Sequence, residues 1–226
     1  LLVEYDFNWR RTIDEENQIR MKYKQLLLSL VAGCALATSL HAAPELEPPS
    51  EYRKVSRQLV EILEGVHYNK TPVDDRISSL AFDQYLDSLD PTKSFFYADD
   101  IQELERFRLI LDDTLRQGDV SPAYQIYNLY QSRIEDRLKK VIDQIPTMVR
   151  NFDFKKEEYF NADPEDAQWA QNEQELNDNW RKRIKNRALV LKLNNQTLEE
   201  IEASLLRRYR NQLKQVEQTN AVDVYQ

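Results

Sequence analysis

Three pairs of adjacent carboxylates, Asp74-Asp75, Asp99-Asp100 and Asp112-Asp113, are by type the residues best suited to chemistry, because neighbouring acids can share protons or hold a divalent cation. On amphipathic helices such pairs serve as solvated faces, or as first-turn residues favoured by the helix dipole, and that is the reading adopted for all three. Lys139-Lys140 and the cluster Arg207-Arg208 with Arg210 carry the charge needed to meet a phosphate backbone. The net charge of −8 opposes unaided nucleic-acid binding, so these basic groups are expected on helix surfaces with local ion pairs.

Nucleophile and metal chemistry find little material. No Gly-x-Ser-x-Gly, His-Glu-x-x-His or glycine-rich phosphate loop occurs. Cys34 is the single cysteine, which excludes an intramolecular disulfide and any multi-cysteine metal site, and His67 is the one histidine after residue 43. No catalytic residue, no metal ligand and no cofactor is therefore assigned. The triplet Phe95-Phe96-Tyr97 is the feature that invites two readings: an exposed aromatic run that anchors a partner, or a buried plug between two helices. The plug is favoured, with both phenylalanines buried in a link from Leu89 to Ile101 that acts as the structural hinge of the domain.

The elements that must position these residues are helices. Gly33 lies in an apolar N-terminal run, which leaves Gly65 and Gly118 as the glycines of the remaining chain, too few for hairpins and nucleotide folds. An all-α, irregular multi-helix bundle with an aromatic-rich loop is expected, and a stacked-helix solenoid is its rival. Ser50 is placed as the cap of a first helix with Val55, Leu59, Ile62, Leu63 and Val66 on one face. Thr71-Pro72 starts a second, striped by Ile77, Leu80, Ala81 and Leu86 and ending near Leu89. Ala98 or Asp99 opens a third, carrying Ile101, Leu104, Leu111 and Leu115 to Gly118, and Ser121-Pro122 a fourth that ends or kinks before Pro146. From Asn151 to Ala170 an irregular loop is expected, pinned by Phe152, Phe154, Tyr159, Phe160 and Trp169. A helix over about Glu173 to Leu189 carries Leu176, Trp180 and Ile184, and Thr197 with Glu200 forms a capping box for a final one with Ile201, Leu205, Tyr209, Leu213 and Val216.

Residues 21–43 have the order of a secretory signal: Lys22 and Lys24, an apolar run from Leu26 to Ala37, then small residues to Ala43. That run is short for a membrane span. Residues 1–20 read as an upstream mis-start with Met21 the true initiator, or as a genuine extension. Val31-Ala32-Gly33-Cys34 resembles a lipobox, which would lipidate Cys34, whereas ordinary cleavage near Ala42 or Ala43 is the favoured route. Both export the protein to the periplasm, where it is soluble or membrane-associated, and leave 44–226 as one helical domain.

Leu86-Asp87-Ser88-Leu89-Asp90-Pro91-Thr92-Lys93-Ser94-Phe95-Phe96-Tyr97-Ala98-Asp99-Asp100-Ile101 resembles a signature stretch in the N-terminal region of bacterial tail-specific (carboxy-terminal-processing) serine proteases. Asn172 to Leu176 followed by Trp180, and Leu205 to Tyr209 running on to Tyr225, match the same family in the same order. The resemblance implies a helical region preceding PDZ and protease domains, in a family that trims or degrades exported proteins from their C-termini with a serine activated by lysine. Neither of those catalytic residues maps onto this chain, so the chain is expected to be inactive alone. Its implied partners are the rest of the parent protease, protein substrates and a lipoprotein adaptor, with no nucleic acid; a free-standing helical envelope adaptor or lipoprotein is the alternative.

Overall fold

The computed structural model describes residues 45–65, 72–160 and 167–225, all within the unit Pro44–Gln226. The signal segment, Cys34, Val66, His67 and Thr71 lie outside the described residues. Eight α-helices follow in order among those residues: α1 Tyr52–Gly65, α2 Asp75–Leu89, α3 Ala98–Leu104, α4 Leu111–Gln117, α5 Ser121–Asn151, α6 Glu173–Leu193, α7 Leu198–Gln218 and α8 Ala221–Tyr225. No strand forms among them, and the fold is all-α as its glycine poverty and helical periodicity require.

The long α5 is the axis. Its face of Ile134, Leu138, Val141, Ile145 and Val149 meets Leu176, Trp180, Ile184 and Ala188 of α6 and Ile201, Leu205 and Tyr209 of α7, forming the larger core. The expected stop before Pro146 does not occur, and α5 runs on to Asn151. Proline there forfeits one backbone donor, but Ile145 and Val149 on either side are fully buried, and that packing holds the helix through the break. A smaller core joins Phe82 and Leu86 of α2 to Phe96, Leu104, Phe107 and Ile126.

Local chemistry explains most helix ends and several departures from expectation. Asp74 caps α2 by accepting from the Ile77 amide at 3.2 Å, so the helix starts three residues after Pro72 rather than at it. Its buried face is Ser78, Phe82 and Leu86, not the stripe of Ile77, Leu80 and Ala81, because Ser78 is held inside by two bonds: its hydroxyl donates to the Arg108 carbonyl at 2.8 Å and accepts from the Leu111 amide at 2.9 Å. Those same bonds break the helix expected from 98 to 118 into α3, a 3-10 turn at Glu105–Phe107 and α4. Arg108 fixes the break, reaching Asp83, Ser79 and Glu105.

Gly118 ends α4 in the left-handed region at φ 80°, where a Cβ would sit 2.5 Å from the Arg53 carbonyl oxygen of α1. Asn195, at φ 62°, turns α6 back toward α7, whose expected capping box is present: Thr197 Oγ1 accepts from Glu200 N and Glu200 Oε2 accepts from Thr197 N. The first helix is a correction. Its predicted inner face of Val55, Leu59, Ile62 and Leu63 is exposed, while Ser56 and Val60 are buried; Ser50 takes part through its carbonyl, which accepts from Arg53 N.

Candidate functional site

The link between α2 and α3 is organised by one carboxylate. Asp90, fully buried, accepts from the amide of Ser94 at 2.8 Å through Oδ1, and from those of Phe95 at 2.8 Å and Phe96 at 3.2 Å through Oδ2. Pro91 ends α2, and the chain wraps around this side chain before α3 begins. Burial pushes the Asp90 carboxyl above its ordinary range, and the three amides pull against that rise. Lys93, in the left-handed region at φ 46°, reaches across to donate to the Ala167 carbonyl at 2.8 Å.

With the backbone so held, consecutive aromatic side chains leave in opposite directions. Phe95, 7 % exposed, enters the larger core, and Phe96, 0 % exposed, enters the smaller one. Tyr130 of α5 stands between them, its ring centroid 5.9 Å from Phe95 and 5.8 Å from Phe96. Trp180 closes the arrangement from α6, its Nε1 donating to the Ser94 carbonyl at 2.7 Å and its ring 5.6 Å from Phe95. Trp169 packs on Phe96 at 5.8 Å. Both phenylalanines are therefore enclosed where helices meet, as the plug reading expects, while Tyr97 is half-buried under Arg133 and Arg137.

The loop after α5 is tied to the same place. Ala170 accepts from the Ala98 amide at 2.9 Å, and Phe152 and Phe154 lie against the larger core. Tyr159, expected to help pin this loop, is instead 94 % exposed. Glu158 does that work through charge, bonding Arg181 at 2.6 Å and Lys185, and its carboxyl is drawn down to about 2 by those two hydrogen-bonded cations.

The three carboxylate pairs are not gathered into one site; they sit at separate helix ends. Asp74 caps α2 and Asp75 lies in its first turn. Asp100, buried, accepts from the Tyr97 amide at 2.9 Å and takes a two-pronged contact from Arg133 at 2.9 and 2.7 Å, while Asp99 faces solvent. Asp112 is buried against Arg116 at 2.9 Å, and Asp113 is exposed. Among the described residues no cluster of three or more His, Cys, Asp or Glu side chains has the geometry of a metal site. Lys139 and Lys140 pair with Glu135 and Glu173 as expected. Arg207, Arg208 and Arg210 do not conform: no carboxylate among the described residues lies within ion-pair distance of them.

Sequence reasoning found the aromatics and missed Asp90, the side chain that aims them. The signal was present as Asp-Pro-x-x-Ser, an acceptor followed by a residue that cannot continue a helix and then by free amides. It also missed Arg183, which donates to Thr92 Oγ1 at 3.3 Å and Ser94 Oγ at 2.5 Å and lies over the Trp180 ring at 5.3 Å.

These features define an all-helical packing region whose central element is an internally bonded link, with Asp74, Asp100 and Asp112, one acid of each pair, spent on helix caps and ion pairs. Residues 59–226 match the tail specific protease N-terminal domain, and the chain belongs to that family. It is 33 % identical over 161 residues to the tail-specific protease of Haemophilus influenzae, an alignment that takes in 71 % of this chain and 23 % of that protein. The chain thus spans about a quarter of the length of that curated relative.

Proposed function

We propose that this chain is the non-catalytic helical N-terminal region of an exported carboxy-terminal-processing serine endopeptidase, positioned ahead of PDZ and protease domains that trim or degrade exported proteins from their C-termini. The observation that carries the reading is the match of residues 59–226 to the N-terminal domain of tail-specific proteases. The described geometry supports the non-catalytic part, since Asp74, Asp100 and Asp112 are each engaged in holding a helix end or a buried ion pair. Export to the periplasm rests on the signal-like order of residues 21–43. Partners follow from the same reading: the remaining protease domains, protein substrates, and an envelope lipoprotein adaptor.

The test is a peptidase assay on the purified chain, alone and as part of the intact protease, with an unstructured protein bearing an apolar C-terminus. The intact protease should cleave it and the chain alone should leave it untouched. Turnover by the chain alone, after contaminating proteases are removed, would overturn the proposal.

A further inference from the structure

Beside the 90–97 link, α6 and α7 leave a cavity of about 430 Å³. Its lining combines the apolar groups Leu89, Pro91, Phe95 and Trp180 with the guanidinium groups of Arg183, Arg187 and Arg208. Within an acidic protein this is a concentrated positive site. We infer that this cavity binds a peptide carboxylate carried beside an apolar side chain.

The three arginines carry charge that no carboxylate among the described residues takes up in an ion pair. Fifteen ion pairs join described residues, and none includes Arg183, Arg187 or Arg208. Arg183 is half-buried, its hydrogen bonds go to two neutral hydroxyls, and burial lowers its affinity for its proton. The carboxylate nearest in effect, Asp90, is committed to three backbone amides. A guanidinium has five N–H donors, so Arg183 retains donors after the bonds to Thr92 and Ser94. Arg183, Arg187, Arg208 and Tyr209 all line this one cavity, and burial raises the Tyr209 hydroxyl while the three guanidinium charges oppose that rise.

A partly desolvated positive charge with no carboxylate at ion-pair distance among the described residues favours an anion that brings its own partner atoms, and the planar fork of arginine suits a carboxylate taken two-pronged. The apolar lining residues add selectivity for an anion with a side chain to bury, which inorganic anions lack. The cavity volume accommodates a residue or two, not a folded surface. The carboxylate has two sources, an Asp or Glu side chain or a free chain terminus, with the same chemistry.

The experiment measures binding of fluorescent peptides to the full chain by anisotropy. Three probes separate the sources: a blocked peptide containing Asp-Phe, the same with Asn-Phe, and one ending in Phe with a free carboxylate. At least one carboxylate probe should bind about tenfold or more tighter than the Asn-Phe probe, with binding weakened by salt. Which carboxylate probe binds identifies the source. The double variant Arg187→Gln/Arg208→Gln, altering two exposed side chains with no ion pair among described residues, should melt like the parent and lose about tenfold in affinity. Arg183→Lys keeps the charge and loses the fork, and should also weaken binding. Equal binding of the Asn-Phe probe, full affinity in the double variant, displacement by inorganic phosphate at the peptide's own concentration, or no binding by any probe would each overturn the inference.

Discussion

At the scale of single residues, the fold depends on how Asp90 presents Phe95 and Phe96. Their adjacency along an extended link sends one ring into each core, so each anchors a different half of the helix assembly. Phe96 is fully enclosed, and Phe96→Ala should cost about 3 to 5 kcal/mol in chemical denaturation, the combined loss of transfer energy and a cavity that Tyr130 and Trp169 cannot fill. A Phe96→Ala protein that unfolds at the parent's denaturant concentration would mean the plug is dispensable. The burial of these rings was legible in the sequence, because Pro91 and the acidic start of α3 leave the triplet little room. The carboxylate that organises them was not, since a buried Asp looks like any turn aspartate until its amide partners are placed. Ser78 was hidden for the same reason: nothing in its type marks a serine for burial, yet its two bonds shift the buried face of α2 away from the apolar positions that periodicity selects.

At the scale of elements, Gly118 and Glu158 show two different ways in which pieces are joined. Gly118→Ala asks a side chain to adopt φ 80° and to place its Cβ against the Arg53 carbonyl, which is backbone and cannot swing away. The expected result is a loss greater than the roughly 1 kcal/mol that left-handed backbone alone costs a non-glycine residue, with faster amide exchange concentrated in α1 and α4. Exchange spread evenly over all helices would show that the close approach is not what the glycine serves. Glu158 ties the loop after α5 to α6 by charge. Its carboxyl, near 2 in the folded state against an ordinary value of 4.5, contributes stability that is fully present above about 4.5 and drains away as pH falls toward 2. Glu158→Gln should therefore flatten this part of the acid limb of a stability-against-pH curve; an unchanged limb would assign acid sensitivity elsewhere. Helix ends marked by Thr197 and Gly118 could be read from the sequence, because each cap is a local bond or a local φ. The continuation of α5 through Pro146 could not, because it depends on packing by distant α6 and α7.

At the scale of the whole molecule, two surfaces stand out on a protein of net charge −8. One is the cationic cavity between α6 and α7. The other is the face of α1 carrying Val55, Leu59, Ile62 and Leu63, which no described residue covers enough to bury. A region that forms part of a longer protease has reason to carry contact surfaces that its own core does not satisfy. The central claim, that these residues belong to a protease rather than to a free-standing helical adaptor, is tested most directly by the mass of the native polypeptide. An antibody raised against α6 and α7 should detect, in the source cell, a protein several times heavier than the 26.9 kDa of this chain that also carries a serine-directed active-site probe. Native product found only at or below 26.9 kDa, and unlabelled by that probe, would contradict the account.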